Sequence, residues 1–109
     1  MTESTFHQHA DQLMAAIDAA ILDSDAADEA GIECDINGGI LTIECADGSK
    51  ILVNRQTPMR EIWLAAKGGG FHFRWSDGEW RDTRSNAPFV EVLNVALQAQ
   101  SGKVIGITI

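Results

Sequence analysis

In Asp23-Ser24-Asp25-Ala26-Ala27-Asp28-Glu29 four acids fall within seven residues, with Asp11 and Asp18 before them and Glu33 after. Carboxylate oxygens are hard donors, suited to ferrous, ferric, manganese or magnesium ions. The spacing does not make an EF-hand. Ala27 stands where that calcium loop needs a ligand, Asp28 where it needs glycine, and Cys34 where it needs a bidentate glutamate. An open set of oxygens binds weakly and does not select sharply among cations, because selectivity needs a closed cage. His7, one helical turn before Asp11, offers a nitrogen to the same set, whereas His9 lies off that line. The candidate metal ligands are therefore His7, Asp11, Asp18, Asp23, Asp25, Asp28, Glu29 and Glu33.

Other chemistries lack their residues. Gly68-Gly69-Gly70 is followed by a strand pattern and not by the Lys-Ser/Thr and helix of a phosphate loop, so it reads as a flexible turn. No Ser-His-Asp order, HExxH or CxxC pair is present, and no turnover is expected: the chain reads as a binding protein with no catalytic residues. Cys34 and Cys45 fall on strands that alternate with acids, which points both into the core with Ile32, Ile36, Leu41 and Ile43 as reduced thiols.

The net charge of −8 is unevenly placed. Residues 1–49 carry eleven acids and no Lys or Arg, whereas residues 50–109 carry eight bases and five acids, so the two parts stand at −11 and +3. A directed negative field of this kind repels nucleic acid backbone and anionic lipid and favours cations or a basic protein surface. No apolar run approaches the roughly 20 residues of a membrane span, and the N-terminus has no signal-peptide pattern. The expectation is one soluble, cytoplasmic domain over residues 1–109.

The elements that must position these groups follow from periodicity. Phe6, Ala10, Leu13, Met14, Ile17 and Ile21 make one stripe of an amphipathic helix from about Ser4 to about Asp25. Thr2, Ser4 and Thr5 compete as its N-cap. His7, Asp11, Asp18 and Asp25 align on its opposite face with no base between them, and Asp23 and Asp25 at its C-terminal end oppose the macrodipole. A linker over residues 26–31 leads into Ile32–Ile36, a turn at Asn37-Gly38-Gly39, and a return strand Ile40–Cys45. Strand Lys50–Asn54 has two registers. A tight Asp47-Gly48 turn puts Leu52 inward, and a longer turn or bulge puts Ile51 and Val53 inward. Thr57-Pro58 reverses the chain into Glu61-Ile62-Trp63-Leu64-Ala65; with Ile62 and Leu64 inward, Trp63 faces the other side. In Phe71-His72-Phe73-Arg74-Trp75 the same alternation buries the aromatics and turns His72 outward beside Trp63. Asp77-Gly78 makes a hairpin to Glu79-Trp80-Arg81. Ser85 or Asn86 then caps a second helix with the stripe Phe89, Val92, Leu93, Ala96 and Leu97, ended by Gly102, and the apolar tail from Lys103 lies against the domain. Both helical stripes must bury on one sheet face. The fold class is α+β, a two-layer sandwich of two helices on one face of a five- or six-stranded antiparallel sheet.

Asn54-Arg55-Gln56-x-Pro58, Ile62-Trp63-Leu64-Ala65 and Gly69-Gly70-Phe71-His72-Phe73, with Phe6-His7 and the Ile36-Asn37-Gly38-Gly39 hairpin, resemble the frataxin family, specifically its bacterial branch, over nearly the whole chain. The resemblance implies the same α-β-α order. It also implies an iron-binding protein, holding Fe2+ or Fe3+ weakly and exchangeably, that docks on the cysteine desulfurase and the iron-sulfur scaffold complex and modulates cluster formation. The alternative is an acidic adaptor whose metal binding is incidental. The family's acidic ridge maps onto Asp18, Asp23, Asp25, Asp28, Glu29 and Glu33, and its partner surface onto Asn54, Arg55, Gln56, Trp63 and His72, with Asp18 and Asp23 contributing to docking. A monomer is expected, with metal able to drive oligomers.

Overall fold

The computed structural model describes residues 1–109. Helix α1 spans Glu3–Leu22, a short helix α2 Asp25–Glu29, and six strands follow: β1 Glu33–Asn37, β2 Ile40–Glu44, β3 Lys50–Gln56, β4 Glu61–Ala66, β5 Gly69–Ser76 and β6 Glu79–Asp82. Helix α3, Phe89–Ser101, closes the order. The strands form one antiparallel sheet in sequence order. Each strand meets the next through a short connection, so the sheet is a meander with one face left for the helices.

All six apolar residues of the α1 stripe are buried, and they meet Leu41, Ile43, Ile51, Val53, Ile62, Leu64 and Phe73 from the sheet and Phe89, Leu93, Ala96 and Leu97 from α3 in one core. The α1 cap is Thr2, whose hydroxyl oxygen accepts the Thr5 N–H at 3.1 Å. The tail is pinned as its alternation suggests. Ile105 and Ile107 are buried, and Asn94 both donates to the Ile107 carbonyl (2.9 Å) and accepts its N–H (3.0 Å).

Several local expectations are corrected. Helix α1 stops at Leu22 and not near Asp25, and part of the expected linker is the helix α2, capped by the Ser24 hydroxyl oxygen accepting the Ala27 N–H at 3.0 Å. Ala27 drops into the core at the bend, so burial of a small side chain takes the place of a continued helix. Asp25 thus opens α2, where its charge suits the helix N-terminus, and only Asp23 opposes the end of α1. Strand β3 takes the second register: the connection runs through five residues, Cys45–Ser49, and Ile51 and Val53 pair with Ile43 and Leu41 on the buried face. Cys45 is buried, but Cys34 is only half-buried and Ile36 is 42 % exposed. Both have the expected parity, yet β1 is an edge strand that the helices do not fully cover. Phe73 is buried, whereas Phe71 and Trp75 are half-buried. Ser85 and Asn86 do not cap α3. The Ser85 hydroxyl donates to Asp82 at 3.0 Å, Asn86 takes a left-handed φ of 64°, and Pro88 occupies the N-cap without a side-chain bond.

Candidate functional site

Two surfaces carry the chemistry, and the predicted ligands divide between them. The first is the flank of α1, α2 and β1. Asp18, Asp28, Glu33 and Cys34, with Ile21, Leu22 and Ile32, line a groove of about 370 Å³. Asp18 is half-buried because the stripe residues Ile17 and Ile21 place it on the margin of the helix that meets β1; Asp28 and Glu33 are exposed. Burial, and then the Asp18 carboxylate beside it, with Asp35 adding a smaller push, drive the Cys34 thiol up to about 12. In the absence of a bound cation a thiol so placed stays protonated. Asp23, Asp25 and Glu29 are exposed around the same bend.

His7 and Asp11 belong elsewhere. Seven residues of helix separate Asp11 from Asp18, about 10 Å along the axis. Asp11 accepts a charged hydrogen bond from Arg55 Nη1 at 2.8 Å, and His7 Nε2 meets the Thr57 hydroxyl at 3.0 Å. The expected row of three acids and a histidine with no intervening base is therefore broken at its N-terminal end by a base from β3. Four ion pairs join Lys or Arg to Asp or Glu in the fold, and none involves Asp18, Asp23, Asp25, Asp28, Glu29 or Glu33. No three His, Cys, Asp or Glu side chains converge closely enough to hold one metal ion. What the flank offers is a crowded field of unpaired carboxylates around a groove, able to attract cations and to bridge them loosely.

The second surface is the sheet face away from the helices. The register places Asn54, Trp63 and His72 side by side across β3, β4 and β5, with Gln56, Glu61 and Arg74 in the row beside them. Trp63 stacks on His72 with ring centroids 4.3 Å apart and planes 7° from parallel. It is half-buried in consequence, so it lies on the open face as the alternation requires but does not stand free in solvent. Arg55 pairs with Ile62 and reaches back to α1; the structure does not bring it to this face. Gly39 leaves room for it to pass, since a Cβ there would lie 2.8 Å from Arg55 Nε.

Sequence reasoning missed Glu61. Its side chain is 2 % exposed on the nominally open face, where Oε1 accepts the Trp63 indole N–H at 2.9 Å and Oε2 accepts Arg74 Nε and Nη2 at 3.1 and 2.8 Å. His72 Nδ1 lies 3.6 Å from Oε1. The signal was available: Glu61 and Trp63 share a face by the two-residue period, and an acid next to tryptophan on a face that also holds Arg74 has two donors within reach.

The frataxin-like domain model matches residues 1–103. The chain is 44% identical over 107 residues, covering 98% of each sequence, to the iron-sulfur cluster assembly protein CyaY of Paraburkholderia phymatum. Frataxin from Psychromonas ingrahamii, of the CyaY protein family, matches at a TM-score of 0.85 and 35% identity over 100% of each chain. Trimeric frataxin from the yeast Saccharomyces cerevisiae, complexed with ferrous iron, shares the fold at a TM-score of 0.67 and 21% identity, over 94% of this chain and 88% of that one.

Proposed function

The chain belongs to the frataxin-like family, and on that premise we propose that it serves iron-sulfur cluster assembly as an iron-binding protein. In this reading it docks on the cysteine desulfurase and its scaffold complex in the cytoplasm and modulates the rate of cluster formation without itself turning over a substrate. Iron is cargo or signal, held weakly and exchangeably by the flank around Asp18, Asp28 and Glu33. The observation that carries the reading is the unneutralised flank of α1, α2 and β1: six carboxylates on neighbouring elements, none with an ion-pair partner, while the Lys and Arg side chains that form ion pairs do so with Asp11, Asp47, Glu61 and Glu79. Such a surface costs stability through self-repulsion and offers a field for cations and for a basic protein. The Trp63 face, with Asn54, Gln56 and His72, supplies a second contact for the same assembly.

One observation favours a second reading. Because no three ligands converge on a point, the flank also suits an adaptor whose metal binding is incidental and whose acids serve only to dock. Binding of purified desulfurase, measured with and without ferrous iron across a sodium chloride series, separates the two. Iron-dependent affinity is expected for the first reading; an interaction that salt weakens and iron leaves unchanged establishes the adaptor. No binding under either condition rejects both.

A further inference from the structure

Glu61 is an anomaly of the sheet. A carboxylate on the face turned away from the core has water available to it, yet this one is 2 % exposed and covered by the groups it bonds. Those groups are the indole N–H of Trp63, two N–H groups of Arg74 and, at 3.6 Å, the His72 ring. They make one unit. The Trp63 ring is held at its nitrogen by Glu61 and along its face by the parallel His72 ring, while Arg74, 63 % exposed in its side chain, is tethered beside them with its remaining N–H groups free.

We propose that Glu61 is a positioning residue for the Trp63 surface: it fixes the indole flat on the sheet and fixes Arg74 beside it, so that the surface meets its partner already arranged. The proposal rests on the reading of that face as a partner contact. A tryptophan on an open strand has several rotamers, and ordering it during association subtracts from affinity. The Glu61 bond selects one rotamer in the free protein. The pair with Arg74 does the same for a longer side chain that has more freedom to lose. The carboxylate acts through these neighbours and not by touching the partner, since it has no exposed surface to offer.

The full-length chain carrying Glu61→Gln and, separately, Glu61→Ala tests this. The first keeps the size of the side chain and one carbonyl acceptor; the second removes every bond. Trp63 indole and Arg74 Nε–H signals are followed by nitrogen-edited NMR in the free protein, the indole being assigned with Trp63→Phe. Affinity for the purified desulfurase–scaffold complex is measured alongside. In Glu61→Gln the Arg74 signal should lose its bonded shift while the indole signal stays near its place, and affinity should fall a few-fold. In Glu61→Ala both signals should move to those of freely rotating groups, with about a tenfold loss of affinity. Unmoved signals in Glu61→Gln, the variant certain to keep the packing volume, overturn the proposal. So does full affinity in both variants when Trp63→Ala binds poorly, and that result leaves the partner surface standing. If Trp63→Ala also binds fully, the surface reading falls and this proposal with it.

Discussion

Trp63 shows what a single side chain does when it is neither core nor free surface. Its strand neighbours Ile62 and Leu64 are fully buried, and removing either side chain should cost about 2 to 5 kcal/mol. Trp63→Ala removes a stack on His72 and one hydrogen bond to Glu61, while Glu61 keeps both bonds from Arg74. The expected loss is about 1 to 2 kcal/mol of stability, less than a core deletion and more than the near-zero loss of a fully exposed anchor. Urea unfolding of Trp63→Ala beside Leu64→Ala checks the order. Equal losses would show that the indole is a core group in its energetics, and would remove it from any contact surface.

At the scale of elements, the strands were more legible than the ends of helices. Two-residue alternation is a strong pattern, and it placed Trp63, His72, Ile62 and Leu64 correctly because one sheet face must be buried. The β3 register stayed open in the sequence because turn length is not written in the Asp47-Gly48 dipeptide. It is decided by Cys45 and Ser49 bonding across the loop, with the Cys45 N–H donating to the Ser49 carbonyl at 2.8 Å. The break between α1 and α2 was illegible for a related reason. The Ser24 cap and the break it marks come with burial of Ala27 in the core, a tertiary contact that the local sequence does not show. This break matters for the site. It takes Asp25, Asp28 and Glu29 out of α1 and brings Asp28 to the groove, whose acidic wall is Asp18, Asp28 and Glu33. If this wall steers a basic partner, reversing Asp18 and Asp28 to Lys should slow association by roughly tenfold at low salt, with little change in dissociation and a gap that narrows as salt rises. Stopped-flow association across a salt series reads this directly. A loss confined to dissociation would show a packed contact in place of a steering field. Reversal of Asp11, which Arg55 already neutralises, serves as the comparison and should matter less.

For the molecule as a whole, the division of charge sets how it answers to ions. Of the bases of the second half, Arg55 and Lys67 reach acids of residues 1–49, Asp11 and Asp47, while Arg74 and Arg81 pair with Glu61 and Glu79, so nine of the eleven acids of residues 1–49, those of the α1–α2–β1 flank among them, have no ion-pair partner. Two unit charges about 6 Å apart repel by about 0.7 kcal/mol in water, and screening at 0.1 M salt acts over about 10 Å, so a flank with several such pairs is relieved by salt alone. An ion that binds the folded flank adds to this through mass action, by about 1.4 kcal/mol at ten times its dissociation constant. The two contributions separate when ionic strength is held fixed. Sodium chloride should raise the melting temperature through screening. Ferrous iron, manganese or magnesium at the same ionic strength should raise it further, by roughly 4 °C for each kcal/mol gained. The increment should vanish in a variant with Asp18, Asp28 and Glu33 changed to the matching amides, whose own midpoint without metal should lie above that of the parent because the repulsion is gone. A metal increment that survives in this variant would place the bound ions elsewhere on the flank, and a parent that melts at the same temperature in sodium chloride with and without metal would leave the carboxylates with docking as their only use.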